Sequence, residues 1–324
     1  MKYATIVLVG IAFIACGSED GWDSPEDGGT DRNASGDSDT DSDTDTDSDG
    51  DSDSDSDGDG DADGLKPTDL PTPTGTCPDF KAGDVTFSPA NIQERKVRIW
   101  MSDAANTKDG PLVFYWHGTG SNPNMEVPGG LGNQVMNQIK AEGGIIAAPY
   151  HDTAAGQFPW FLVTGNRTDD LLVADEVLAC AIEKLGMDTR RIYTLGMSAG
   201  GLHTAQMSFR RSNYIAGAVT YSGGISYGNP PNKDPDNKFA AMIFHGGPDD
   251  VVVISFQQAS NTYKTKLENG GHFAFICNHG NGHNIPFAAT GSVWQFFQDH
   301  PYGTDPSPYE SSLPNGFPDY CELK

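Results

Sequence analysis

Arg191-Ile192-Tyr193-Thr194-Leu195-Gly196-Met197-Ser198-Ala199-Gly200-Gly201-Leu202-His203-Thr204-Ala205-Gln206-Met207 decides how this chain of 324 residues is read. The first five residues predict a strand, and Gly201 to Met207 predicts a helix. Between them stands Gly196-Met197-Ser198-Ala199-Gly200. A strand that runs straight into a helix through small residues makes a strained bend with its central side chain lifted clear. The G-x-S-x-G pattern alone is weak, since chance yields roughly a third of a match in a chain this rich in glycine and serine. A second copy does occur, Gly224-Ile225-Ser226-Tyr227-Gly228, but it leads into Asn229-Pro230-Pro231-Asn232, which cannot continue as a helix. Ser198 is therefore the candidate nucleophile and Ser226 is not.

Working outward, apolar strand-like runs lie at Val85–Phe87, Lys96–Met101, Leu112–His117, Ile145–Pro149, Arg191–Met197, Ile215–Tyr221, Phe239–His245 and His272–Cys277. Helical patterns fall at Leu131–Ala141, Asp170–Leu185, Ala199–Arg211, Ser255–Glu268 and Ala288–His300. Continuous apolar strands alternating with helices predict an α/β fold, a mostly parallel sheet with helices on both faces. The first two runs predict an antiparallel hairpin at its edge.

The N-terminal quarter reads differently. Lys2 and the apolar run Ile6 to Ala15 predict an export signal too short to span a bilayer. The run ends at Ala15-Cys16-Gly17 and resembles a bacterial lipoprotein signal, in which Cys16 becomes the lipidated first residue. Residues 17–76 form a low-complexity linker. Between Gly17 and Thr76 stand 21 acidic residues against Arg32 and Lys66, so this segment carries −19 of the chain's −25. From Asp37 to Asp63 every second residue is Asp. Such a stretch has little to bury and predicts a disordered spacer. Its acidity excludes nucleic acid as a partner, which needs a basic face. Asp59-Gly60-Asp61-Ala62-Asp63-Gly64 starts like a calcium loop but has Leu70 where a bidentate Glu is required, so only weak calcium association is expected. The predicted partners are thus a membrane, through the lipid at Cys16, and a substrate at Ser198. The predicted location is a bacterial cell envelope or the medium outside it. Residues 77–324 make the catalytic domain. Its four cysteines, Cys77, Cys180, Cys277 and Cys321, permit two disulfides in three pairings.

A serine hydroxyl needs a base, and in this kind of sheet the order along the chain is Ser, Asp, His. Asp249 and Asp250 follow the strand at Phe239–His245, where functional groups gather beyond the carboxyl ends of strands. Asp249 is the first choice for the acid. The glycine-rich loop Asn278-His279-Gly280-Asn281-Gly282-His283 follows the next strand; His283 is the first choice for the base and His279 the second. The backbone N–H groups of Ala199 and of Thr119, in His117-Gly118-Thr119-Gly120, are placed to form an oxyanion hole. No metal or organic cofactor is called for.

His117-Gly118-Thr119-Gly120, Phe158-Pro159-Trp160-Phe161, Asp188-Thr189-Arg190-Arg191-Ile192-Tyr193, Gly196-Met197-Ser198-Ala199-Gly200-Gly201, Asp249 and Gly282-His283 together resemble the secreted polyhydroxybutyrate depolymerase and feruloyl esterase group of the α/β-hydrolase superfamily. The resemblance spans most of Pro111 to Pro286. It implies Ser198, Asp249 and His283 as a triad, Trp160 near the substrate pocket, and as substrate a carboxylic ester: a polyhydroxyalkanoate, a feruloyl ester or an acetyl ester. Thr119 stands where the group often has Cys, and Pro301 to Lys324 has no counterpart. Two rival readings remain: a prolyl-oligopeptidase-type peptidase, which shares the triad, and a non-catalytic surface lipoprotein that binds calcium or glycans through the stalk.

Overall fold

Leu112-Val113-Phe114-Tyr115-Trp116 is buried along its whole length, and the alternation of its side chains shows what covers it. Phe114 and Trp116 face one apolar cluster, while Val113 and Tyr115 face another. A strand with a core on each side belongs to the middle of a three-layer structure.

The computed structural model describes residues 65–323. The strands are β1 (Gly83–Phe87), β2 (Arg95–Trp100), β3 (Leu112–Trp116), β4 (Ile145–Pro149), β5 (Ile192–Met197), β6 (Gly217–Tyr221), β7 (Ala240–His245), β8 (Val251–Val252), β9 (Ile254–Ser255), β10 (Ala274–Asn278) and β11 (Cys321–Glu322). Nine of them form one sheet in the order β1-β2-β4-β3-β5-β6-β7-β10-β11, and β8 and β9 make a separate antiparallel ribbon. From β4 through β10 all pairings are parallel; β1, β2 and β11 join antiparallel. The expected edge hairpin is β1–β2, with Val85 beside Val97.

The helices are α1 (Pro123–Leu131), α2 (Asn133–Ala141), α3 (Phe161–Thr164), α4 (Asp169–Leu185), α5 (Ala199–Arg210), α6 (Phe256–Asn269) and α7 (Thr290–Asp299). Apolar side chains of α4 share a cluster with Phe114, Trp116 and Ile192, and those of α5 and α6 pack on Ala241 and Ile243. On the other face α1, α2 and α7 pack on Val113, Tyr115, Tyr193 and Leu195. Helix α1 is not expected from the sequence, because Pro128, Gly129 and Gly130 interrupt its pattern. It forms because Pro123 sits at its start, the Asn122 side chain accepts from the Met125 N–H, and Tyr221 Oη donates to the Gly130 carbonyl.

The disulfides are Cys77–Cys180 and Cys277–Cys321, a choice the sequence leaves open. They fit an extracellular protein. The second holds β11 on β10, so the unmatched C-terminal segment returns to the sheet, with Tyr309 and Phe317 on the core side. The segment before Cys77 behaves differently from the linker expected of it. Thr74 N and Oγ1 and Gly75 N donate to the carboxylate of Glu176 on α4, at 2.8, 2.6 and 2.8 Å. Glu176 is buried and needs these donors, and Leu70 adds an apolar contact to the same cluster. Cys16, the export signal, and the alternating Asp stretch with its calcium-like loop lie outside the described residues. No helix among the described residues is long and apolar enough to cross a membrane.

Candidate functional site

Strand register sets the site. In the β3–β5 pair Trp116 lies beside Gly196, and in the β5–β6 pair Met197 lies beside Tyr221. Gly118 and Ser198 therefore each stand two residues beyond a matched pair, and Ser222 follows next to Ser198. The chain leaves β3 toward β4 on one side and leaves β5 toward β6 on the other, so a crevice opens between the ends of β3 and β5.

Ser198 has φ 58° and ψ −120°, a conformation that L-residues adopt at a cost of about 1–3 kcal/mol. Its N–H donates to the Tyr221 carbonyl at 2.9 Å, and its carbonyl accepts from Leu202 at 2.9 Å as α5 begins. The strand-to-helix bend expected from the sequence is thus present. His283 Nε2 lies 2.9 Å from Ser198 Oγ, and His283 Nδ1 lies 2.8 Å from Asp250 Oδ1. The ring of Phe256 packs on the imidazole with centroids 4.5 Å apart.

The acid beside His283 is Asp250, which corrects the expectation of Asp249. Gly247 accepts from the Asp250 N–H at 3.1 Å, closing a turn with Pro248 and Asp249 at its corner. Asp249 is consequently exposed, and Asp250 returns to the interior with no exposed surface. Its second oxygen accepts from Ser222 Oγ at 2.8 Å and Gly246 N at 2.9 Å. Burial pushes the Asp250 carboxyl up, but the hydrogen bonds from His283, Gly246 and Ser222 outweigh it and hold the carboxyl below its usual value. The loops after β7 and β10 meet backbone to backbone. Gly282 N donates to Gly246 O at 3.0 Å, and a Cβ on Gly246 would lie 1.8 Å from Gly282 O. Only glycine at 246 lets His283 reach Asp250. His279 is not in the site: it is buried, accepts from Asn281 N at 3.3 Å and faces Tyr320.

The loop after β3 borders Ser198 directly. A Cβ on Gly118 would lie 3.3 Å from Ser198 Cβ. Thr119 follows at the exposed tip, in a turn closed by Ser121 N on Gly118 O at 3.2 Å. Ala199 opens α5, where the first N–H groups have no intrahelical partner. A group that the sequence reading missed holds this loop. Both oxygens of Glu126, on α1, accept the Gly118 N–H at 3.1 Å, and Tyr115 Oη donates to Oε1 at 3.2 Å. Burial raises the Glu126 carboxyl above its usual value, against hydrogen bonds from Gly118, Ser121 and Tyr115 and the charge of His283. The only sequence signal was an acidic residue in the first turn of a helix that itself was not expected.

Trp160 is fully buried and presents no surface to a substrate, contrary to the expectation of a pocket wall. Its Nε1 donates to the His117 carbonyl at 2.9 Å, and its ring packs on Trp116 and His117. It braces the loop from behind. Behind it the buried Asp170 carboxylate accepts from Phe161 N and pairs with Arg95 at 2.9 Å. Exposed apolar side chains flank these residues in sequence: Val251, Val252 and Val253 directly after Asp250, Met125 beside Glu126, and Phe287 shortly after His283. Among the described residues no group of three or more His, Cys, Asp or Glu is placed to hold a metal ion.

No family model matches the sequence, and no curated protein matches it significantly. Solved structures match its fold. The native form of pOPH, a PHB depolymerase, aligns with a TM-score of 0.60 at 18% identity, over 76% of this chain and 97% of its own. A thermostable esterase aligns at 0.52 and 18% identity, over 67% of this chain and 62% of its own. A ferulic acid esterase aligns at 0.50 and 14% identity, over 65% and 94%. The chain has the α/β-hydrolase fold, and the solved structures similar to it include esterases and a depolymerase of that fold.

Proposed function

We propose that this protein is an exported serine ester hydrolase. The observation that carries the reading is the continuous line from Ser198 Oγ through His283 to Asp250, at 2.9 and 2.8 Å. It starts at a serine held in a left-handed bend. In this reading Ser198 Oγ attacks the ester carbonyl while His283 Nε2 takes its proton. Asp250 fixes the imidazole with Nδ1–H toward the carboxylate and stabilises the imidazolium. The N–H groups of Thr119 and Ala199 receive the oxyanion. His283 then protonates the departing alcohol, and water, activated by the same imidazole, releases the acyl group. The apolar side chains on the surrounding loops suit the carbon skeleton of an acyl group. Export is supported by the two disulfides, and Cys16 is proposed as the lipid anchor, with the acidic linker as the spacer and a site of weak calcium association.

The test is hydrolysis of p-nitrophenyl esters of increasing acyl length beside prolyl p-nitroanilides, with labelling by a serine-directed phosphonate. Esters should be cleaved in preference to the anilides, and Ser198→Ala should lose labelling and at least roughly 10³-fold in rate. Equal turnover by Ser198→Ala would sink the reading.

A further inference from the structure

A groove of about 920 Å³ runs along α6 opposite the loop that follows β6. Six carboxamide side chains line it: Asn229, Asn232, Gln257, Gln258, Asn261 and Asn269. Along α6, Gln258, Asn261, Thr262, Thr265 and Asn269 recur at helical spacing and form one stripe. The side-chain amides of Gln257, Gln258, Asn261 and Asn269 make no hydrogen bond to other protein groups among the described residues. Asn232 Oδ1 is buried and also unpartnered. No carboxylate lines the groove, and its one cation, Lys266, is engaged with Asn229 Oδ1. The apolar members Phe209 and Ile225 are buried at 2% and 4% exposure.

This lining selects a ligand. Without carboxylates it does not suit a metal ion, and with Lys266 engaged it does not suit an anion. A purely aliphatic chain would leave the row of amides unpaired. Carboxamides and hydroxyls, which both donate and accept, match vicinal hydroxyl groups. Ile225, Gly228, Ser255, Gln258 and Thr262 line a second cavity of about 380 Å³, whose wall includes Tyr227. Tyr227 is 40% exposed, and its hydroxyl donates to Leu162 O. Ser255 accepts from Gln258 N to cap α6, and the next residue is Phe256, the ring on His283.

We propose that the α6 groove binds a neutral glycan chain. The experiment uses the full chain with Ser198→Ala, titrated separately with xylohexaose, cellohexaose and mannohexaose by calorimetry. Asn261→Ala with Thr265→Ala, both exposed, should weaken the sugar that binds by about tenfold. The same pair of changes in the Ser198 protein should leave p-nitrophenyl acetate turnover within about twofold. Binding of none of the three sugars up to about 10 mM, or binding unchanged by the double substitution, overturns the groove. Failure of the parent to hydrolyse any p-nitrophenyl ester sinks the hydrolase reading alone, while the sugar titration decides the groove.

Discussion

Glu126 accepts the Gly118 N–H on both carboxylate oxygens, each at 3.1 Å, and so ties α1 to the loop that borders Ser198. With that N–H committed, the donor proposed for the oxyanion is the N–H of the next residue, Thr119. Glu126→Ala should lower kcat about 10- to 100-fold with KM nearly unchanged, because a loop that aims a donor matters most in the transition state. Glu126→Gln keeps an acceptor oxygen and should stay within about threefold of the parent. Steady-state kinetics on one p-nitrophenyl ester, with melting curves to verify folding, reads both. A Gln variant as impaired as the Ala variant would show that the acceptor is not what counts.

The two adjacent aspartates give a clean contrast. Asp250 is wholly buried and bonded to His283, Ser222 and Gly246, whereas Asp249 sits at an exposed turn corner. Asp250→Asn should reduce kcat roughly 10³- to 10⁴-fold, because the amide carries no charge to stabilise the imidazolium, and with its oxygen held by Ser222 and Gly246 its NH2 faces Nδ1 and favours the wrong tautomer. Asp249→Asn should remain within about twofold. The reverse ranking would move the acid back to Asp249.

What the sequence could and could not reveal follows from the range of each interaction. The layers, the sheet and the bend at Ser198 are local or periodic, and Ile192 to Met207 states them outright. His283 was legible because a glycine-rich loop after a strand has few other uses. Asp250 over Asp249 depends on one turn, since Pro248 at the second position sends the following residue outward. Glu126 was invisible because α1 contains Pro128 and two glycines, so neither the helix nor its inward carboxylate follows from pattern. Resemblance alone points Trp160 toward a pocket, and its burial is a tertiary fact that places it behind the loop instead.

Six buried histidines outside the triad are held toward the neutral form by burial, four of them strongly. Burial lowers His117, His272 and His300 to about 4 and His203 to about 3. Each has a folded-state value below its unfolded 6.5, so the unfolded chain binds the extra protons. Their stability contribution is intact above about pH 6.5 and is lost as the pH falls from there toward 4, or toward 3 for His203. Each pH unit separating the folded from the unfolded value is worth about 1.4 kcal/mol per histidine. The melting temperature should therefore be nearly flat above about pH 7 and fall steeply below 6. Neither nitrogen of His203 has a hydrogen-bond partner, and its ring packs against both Trp116 and Trp160. His203→Phe should make that acid fall shallower without lowering the melting temperature at pH 8. An equally steep fall would mean that His203 does not titrate with unfolding.

The two disulfides should separate stability from activity. Cys77–Cys180 joins the segment before β1 to α4 across 103 residues, remote in sequence from every loop of the site. Chain-entropy reasoning gives it about 4–5 kcal/mol, and Cys277–Cys321, across 44 residues, about 4 kcal/mol. Replacing either pair by alanine should lower the melting temperature by roughly 10 °C. The pairs differ in what they hold. Cys277 precedes Asn278, whose N–H donates to Tyr320 O at 2.9 Å, and the loop from there carries His283. Without the second bond, β11 rests on a two-residue ladder, and the base of the His283 loop loosens with it. Cys277→Ala with Cys321→Ala should therefore reduce kcat several-fold below the melting range, whereas Cys77→Ala with Cys180→Ala should leave it within about twofold. Equal kcat in both variants at about 20 °C below their midpoints would show that the C-terminal anchor does not reach the site.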